Sequence, residues 1–334
     1  MEDYAMAGTL EQIIKPVQDE FSRFEEMYND AFSTSNAVLR MVYLQLKEAK
    51  GKQIRPIMAL LAAKAMGGVS DKSFDVVLVL EMLHNASLLH DDVIDEADIR
   101  RGAPSVNKTF GNKTAILSGD YLLAQAFGHL ADISEPRIIT ALSQLGKDLS
   151  EGEILEMVVS IQSLKDESKY LEVIYKKTAV LFATSLYVGA LSSGNVSEDE
   201  AQRMREFGNK LGMCFQIKDD IFDYQSDSKI IGKPVGADIR EKKITLPLIY
   251  AYRNASKEEK REAERRLQTS ESVLNDVDVE FFLRFVHANK GIQGAEERMD
   301  VFRKEAERLL DSFPPSDYIE ALRSISHFIT DRKK

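Results

Sequence analysis

Two short acidic clusters hold the chemistry this sequence could perform. Asp91-Asp92-Val93-Ile94-Asp95 and Asp219-Asp220-Ile221-Phe222-Asp223 share the spacing D-D-x-x-D. On a helix, Asp91 and Asp95 stand one turn apart on one face, and so do Asp219 and Asp223. Like charges at that spacing repel unless something cancels them. One such cluster is compatible with a solvated acidic face. Two copies, each set among Leu, Ile, Val and Phe, point to carboxylates that are paired or hold metal. Oxygen-only ligands suit magnesium, which keeps several waters and completes its shell with phosphate oxygens. The chemistry implied is a diphosphate gripped through metal ions.

A diphosphate also needs direct cationic partners. Arg100 and Arg101 follow the first cluster. Lys52 and Arg55 lie in Gly51-Lys52-Gln53-Ile54-Arg55-Pro56, where an apolar helix begins. His84 precedes Asp91 by two helical turns and shares its face. Lys177-Thr178 opens the apolar run Ala179-Val180-Leu181-Phe182, and Lys233 and Lys243 follow the second cluster. Singly, each would pass for a surface charge. Their order and spacing relative to the aspartates carry the weight.

The elements that position these residues read as helices. Of 334 residues, 44% are hydrophobic, enough for a sizeable core. Prolines number eight, with none between 137 and 233, and long stretches without breakers favour long helices. Helical spacing of apolar residues runs through 10–50, 53–67, 71–96, 112–132, 135–162, 167–192, 197–226 and 256–332. Residues 102–105 read as a loop, and 229–247 as an ordered loop. There is no low-complexity linker and no fixed-period repeat, so one all-α domain over residues 1–334 is expected.

Bulk properties narrow the class. A net charge of −10 and a pI near 5.2 argue against a nucleic-acid partner. Cys214 is the single cysteine, which excludes an intrachain disulfide and argues against a cysteine-based zinc site. The opening Met1-Glu2-Asp3-Tyr4 lacks the basic start and apolar core of a signal peptide. No apolar run approaches the ~20 residues that span a bilayer. A soluble cytoplasmic protein without a membrane span is expected.

In this order the motifs resemble the trans-isoprenyl diphosphate synthases, the polyprenyl synthetase family, over nearly the whole chain from about residue 45. The likeness is greatest to long-chain, octaprenyl-type members. Asp91-Asp92-x-x-Asp95 with Arg100-Arg101-Gly102 matches the first aspartate-rich motif. Gln216-x-x-Asp219-Asp220-x-x-Asp223 matches the second. Gly51 to Pro56, Lys177-Thr178, Gly232-Lys233-Pro234-x-Gly236-x-Asp238 and Lys243-x-Thr245-Leu246-Pro247 fit, as do Gly119-Asp120-Tyr121-Leu122 and Glu151-Gly152-Glu153. Two departures stand out. Lys50 replaces a frequent glycine, and Glu156 stands where many members have glutamine.

The resemblance implies a large orthogonal α-helical bundle around a central active-site cavity, of the isoprenoid synthase type and usually a homodimer. It implies magnesium held mainly by Asp91, Asp95 and Asp219, with Asp92, Asp220 and Asp223 supporting. Arg100, Lys177, Gln216 and Lys233 would hold an allylic diphosphate, and Lys52, Arg55, His84 and Arg101 isopentenyl diphosphate. Lys243 is counted with the substrate-binding residues. The catalytic set would be Asp91, Asp92, Asp95, Lys177, Thr178, Gln216 and Asp219, with Thr178 and Gln216 presenting oxygen dipoles to an allylic cation. Ala86 and Ser87 lie about one turn before Asp91, where short-chain members often carry Phe or Tyr. Both being small, a long-chain product is expected. The alternatives are a short-chain synthase, a class I terpene cyclase and a non-catalytic subunit of a heteromeric prenyltransferase. The all-aspartate second cluster and the Gly51–Pro56 signature argue against the cyclase, and the retention of all six aspartates argues against the subunit.

Overall fold

Freedom from proline after Pro136 lets the chain build long helices. Pro136–Val158 starts on the proline itself, at the position where its missing N–H costs nothing. Glu198–Gln225 runs for 28 residues and Asp71–Ile94 for 24. The computed structural model describes residues 9–49, 51–158, 164–194, 196–225, 236–268 and 273–332. Within them the architecture is all-α; the only strands are Ile99–Arg100 and Ala103–Pro104. Among the described residues no helix is long and apolar enough to cross a membrane.

The chain forms two compact units, each assembled from separate segments. The first comprises residues 1–147, 181–208 and 309–325, and the second 148–180, 209–308 and 326–334.

In the first unit, Asp71–Ile94 is apolar nearly all round. Phe74, Val76 to Leu80, Met82, Leu83, Ala86 and Leu89 are all buried. Such a helix has no solvated face to turn outward, so its neighbours must wrap it. Helices Gln18–Ala31, Ile54–Ala65 and Asn112–Asp132 do so. Phe21, Phe24, Tyr28, Phe32 and Tyr43 form a ladder of rings with successive centroids 4.4 to 6.0 Å apart. The helical pattern expected through 10–50 is broken twice. Pro16 sits in a 3₁₀ turn, Lys15–Val17, between Leu10–Ile14 and Gln18–Ala31. A polar stretch then leads to Asn36, whose Oδ1 accepts the N–H groups of Val38 and Leu39 and starts Ala37–Glu48. Around the expected loop at 102–105 lies a tight antiparallel hairpin. Arg101 and Gly102 are both left-handed, at φ +53° and +80°, as a two-residue hairpin turn requires.

In the second unit, Leu246–Asn254 packs against Asp276–Ala288, burying Leu248, Ile249, Phe282 and Phe285. The single helix expected over 167–192 is interrupted. Glu167–Ile174 passes into a π-helical turn, Tyr175–Ala179, before Val180–Ser192 resumes. The run that follows, Ala179 to Leu191, is buried nearly all round, so a one-residue shift of helical phase at this turn leaves no mark on its hydrophobic pattern. Such turns recur at functional sites, and this one carries Lys177 and Thr178. Of the expected ordered loop at 229–247, residues up to 235 lie outside the described set; a short helix, Ala237–Arg240, occupies part of the rest.

Candidate active site

In the first unit a cationic cluster forms where helix Ile54–Ala65 begins. Gln53 is left-handed (φ +47°), which turns the chain into the helix and places Arg55 in its first turn. Arg55 Nη1 lies 2.9 Å from His84 Nε2. His84 is buried. Burial first, then the positive charges of Arg55, Arg101 and Arg100, hold it well below the ordinary imidazole value. The ring is therefore neutral; Nε2 accepts the guanidinium N–H, and Nδ1 carries the proton. Arg101 Nη1 donates to Ala49 O at 3.0 Å, and its guanidinium lies over Gly51. A Cβ on Gly51 would stand 2.8 Å from Arg101 Cζ, so glycine is what allows the approach. The exposed Lys52 extends from the same loop. Sequence reasoning passed over Glu81, the one acid in an apolar run. It is buried, and burial raises its pKa while Arg55 and Arg101 pull it back.

The first aspartate cluster closes helix Asp71–Ile94. Asp92, 3% exposed, turns inward and accepts from Arg100 Nε at 2.7 Å and from its Nη2. Asp91 is half-buried, and Asp95, the C-cap, is exposed. Ala86 is fully buried, whereas Ser87 is half-buried and donates to His84 O at 2.9 Å.

In the second unit the π turn lies against bare backbone. A Cβ on Gly152 would meet Lys177 N at 2.7 Å, so glycine lets helix Pro136–Val158 close on the turn. Glu153 and Glu156 then reach Lys177 Nζ at 2.9 and 2.6 Å. Lys243 Nζ is 2.9 Å from Glu241 and 4.0 Å from Glu156. Burial disfavours both ammonium groups. Glu156 and Glu153 outweigh it for Lys177, and Glu156 and Glu241 for Lys243, so both pKa values rise. Next to Lys177, Thr178 Oγ1 donates to Gln216 Oε1 at 2.7 Å, and Gln216 Nε2 donates to Asp220 Oδ1 at 2.8 Å. Asp219 accepts from Arg332 Nη2 at 2.6 Å, and the Arg332 guanidinium lies over the Phe215 ring. Asp223 accepts the N–H groups of Ala237 and Asp238. Lys233 lies outside the described residues. Arg332 had no sequence signal, standing 113 residues from the aspartate it pairs with.

The donor set fits a hard cation. Burial, and then the nearby Asp238, push Asp220 well above the usual carboxylate value and Asp223 up to about 6. These carboxylates crowd one another more than their surroundings relieve, and a bound cation would relieve them. Among the described residues no three Asp, Glu, His or Cys side chains converge as a ready-made metal cage. A metal here would take the rest of its shell from water and phosphate oxygens, as magnesium commonly does.

Two oxygen-rich clusters on an all-α frame, each near its own cationic side chains, define an enzyme of the isoprenoid synthase class. Residues 36–280 match the polyprenyl synthetase family, and the chain belongs to it. It is thus a prenyltransferase of the kind that condenses isopentenyl diphosphate with allylic diphosphates. An all-trans-nonaprenyl-diphosphate synthase (geranyl-diphosphate specific) of Rhodobacter capsulatus is 34% identical over 323 residues, covering 96% of this chain and 98% of that one. A short chain isoprenyl diphosphate synthase of Methanothermobacter thermautotrophicus is 35% identical over 294 residues, 85% of this chain and 87% of its own. The crystal structure of a polyprenyl synthase from Caulobacter crescentus, complexed with calcium and isoprenyl diphosphate, superposes with a TM-score of 0.90. It is 28% identical and covers 98% of this chain and 99% of that one.

Proposed function

We propose that this chain is a magnesium-dependent, long-chain all-trans polyprenyl diphosphate synthase acting as a homodimer, with one catalytic domain. The observation that carries the condensation is the cluster of Arg55, His84 and Arg101 at the Gly51–Lys52 loop, a second anion site besides the one at Lys177. A terpene cyclase, which takes one diphosphate substrate, has no use for it.

Asp91, Asp95, Asp219 and Asp223 would hold the metal. Asp92 and Asp220 act through what they anchor: Arg100, and Gln216 with Tyr170. Magnesium, when bound, would neutralise charge on the departing diphosphate. Lys177, Lys243 and Arg100 add direct cationic contacts to the allylic diphosphate, and Lys233 is assigned there by its motif alone. Glu153, Glu156 and Arg332 act as internal counter-ions that substrate and metal must replace. The oxygens of Thr178 and Gln216 face the allylic carbons as the C–O bond ionises. Lys52, Arg55, His84 and Arg101 hold isopentenyl diphosphate so that its double bond attacks the cation. Loss of a proton, with the released diphosphate as base, regenerates an allylic product one unit longer.

The small, partly accessible Ser87 supports a long product; Ala86 is fully buried in the packed core and does not open space for one. The likeness to a short-chain synthase keeps shorter products as the second reading. Chromatography of dephosphorylated products, from purified protein with magnesium and both substrates, tests the assignment. Long polyprenols are expected, and no product in excess chelator. Diphosphate release from the allylic substrate alone would instead indicate a cyclase.

A further inference from the structure

The polar chain that begins at Thr178 ends on a phenol to which no role above assigns chemistry. Tyr170, on helix Glu167–Ile174, is 5% exposed, and its Oη donates to Asp220 Oδ2 at 2.7 Å. Asp220 is 3% exposed, and its other oxygen accepts from Gln216 Nε2. Tyr170 Oη and Gln216 Nε2 both donate to Asp220, the pattern an ionised carboxylate takes. In that form, which these two hydrogen bonds and a bound cation beside it favour, Asp220 only accepts. Gln216 must therefore turn its amide nitrogen to Asp220 and its oxygen to Thr178, whose hydroxyl donates to it at 2.7 Å. The chain has one polarity. Every hydrogen runs toward Asp220, and the lone pairs left over belong to the Thr178 and Gln216 oxygens at the opposite end.

We propose that Tyr170 is a positioning residue that locks Asp220, and through it the Gln216 amide, so that an oxygen pole rather than an N–H pole faces developing positive charge on the allylic substrate. This rests on the functional reading above. A half-turn of a glutamine amide exchanges oxygen for nitrogen with little change of shape, so packing alone does not select between the two. The selection comes from Asp220, and Tyr170 holds the carboxylate oxygen that Gln216 does not use. With Phe at position 170 that oxygen loses its donor inside a buried site, and the carboxylate is free to rotate and release the amide.

The test uses two mimics of the allylic diphosphate. One carries an ammonium nitrogen where positive charge develops, and the other is its neutral carbon isostere. Calorimetric titration of each into the full-length protein with magnesium gives a cation preference as a ratio of affinities. Wild type should prefer the ammonium mimic by about tenfold or more, in line with hydrogen-bonding groups acting on charge. Tyr170→Phe should bring the ratio close to one while leaving the affinity for the neutral mimic nearly unchanged, with a fall of a few degrees in melting temperature from the carboxylate oxygen left without its donor. Asp220→Asn, nearly isosteric, offers an N–H to Gln216 in place of a lone pair; it should flip the amide and remove or invert the preference. Should Tyr170→Phe fold poorly, Asp220→Asn carries the test. An undiminished preference in the variants, or an equal loss of affinity for both mimics, overturns the inference and leaves the functional reading standing. If wild type binds neither mimic, the functional reading falls and the inference with it.

Discussion

His84 sits where its protonation is opposed from several sides: it is buried, and Arg55, Arg101 and Arg100 add positive charge, with Glu81 the nearby acid. Its pKa in the folded state lies below the ordinary value of about 6.5. As pH falls below that value, the unfolded chain binds a proton that the folded chain refuses. The stability contributed by neutral His84 is fully present above about pH 6.5. It is lost as pH drops, by up to about 1.4 kcal/mol per pH unit until the folded histidine itself titrates. His84→Gln keeps an acceptor for Arg55 and removes the titration. Its melting temperature should fall less than that of wild type between about pH 7 and pH 5; parallel slopes would assign the acid sensitivity elsewhere. Glu156 offers a kinetic counterpart. Its carboxylate lies 2.6 Å from Lys177 and 4.0 Å from Lys243, and an incoming diphosphate must displace it. Glu156→Gln should lower KM for the allylic substrate roughly three- to tenfold, with KM for isopentenyl diphosphate unchanged. An unchanged or higher allylic KM in steady-state assays counts against the displacement. At this scale the sequence exposed the residue types but not their pairings. Aspartates and lysines announce themselves by spacing. That Asp92 belongs to Arg100, Asp219 to Arg332 and Asp220 to Tyr170 depends on tertiary packing that no local pattern encodes.

Among the elements, helix Asp71–Ile94 carries His84, the chain-length positions and the first aspartate cluster in consecutive turns. Ala86 and Ser87 are adjacent, but helical geometry points them about 100° apart. Ala86 is fully buried, whereas Ser87 keeps some accessible surface. The two substitutions to Phe should therefore differ. Ser87→Phe can place its ring in open space and should shorten the product toward farnesyl or geranylgeranyl length, with the first condensation preserved. Ala86→Phe must overpack a filled core and should cost about 1–3 kcal/mol or more, lowering the melting temperature before it redirects product length. Product chromatography and thermal melts on both variants check this; equal shortening with equal stability would mean both positions border the same open space. Elements like this one were legible because a long apolar run continues over many helical turns without proline. The π turn at Tyr175–Ala179 and the hairpin at Ile99–Pro104 were not. The first changes the phase of a helix by a single residue, and the second has strands too short to alternate.

At the scale of the whole molecule, one feature of the first unit argues for assembly. Helix Ala37–Glu48 exposes Val38, Met41 and Leu44, three residues spaced three apart and so forming a stripe; each is more than half exposed. Helix Asn112–Asp132 exposes Ile116, Leu117, Tyr121 and Phe127, with Leu117 at 65% and Phe127 at 62%. The two helices touch: Tyr43 Oη donates to Gln125 Oε1 at 3.1 Å, and the rings of Tyr43 and Tyr121 are 6.4 Å apart. The exposed side chains thus belong to neighbouring helices and not to scattered surface positions. Isolated exposed leucines need no explanation, but a cluster of this size on a chain of net charge −10 costs solubility unless a partner covers it. A second copy of the chain fits, because a two-fold contact sets the same patch against itself and lets an apolar surface meet an apolar surface. Met41→Asp combined with Leu117→Asp would bring four carboxylates into such a two-fold contact, at a cost of several kcal/mol. Light scattering behind size-exclusion chromatography should then report a monomer at micromolar concentration, and a dimer for wild type. Val277→Asp, at a residue 66% exposed on helix Asp276–Ala288 in the other unit, is the control and should leave the dimer intact. A double variant that remains dimeric would show that this apolar face lies outside the contact, and a monomeric wild type would remove the homodimer from the proposed function while leaving each unit's site residues as described.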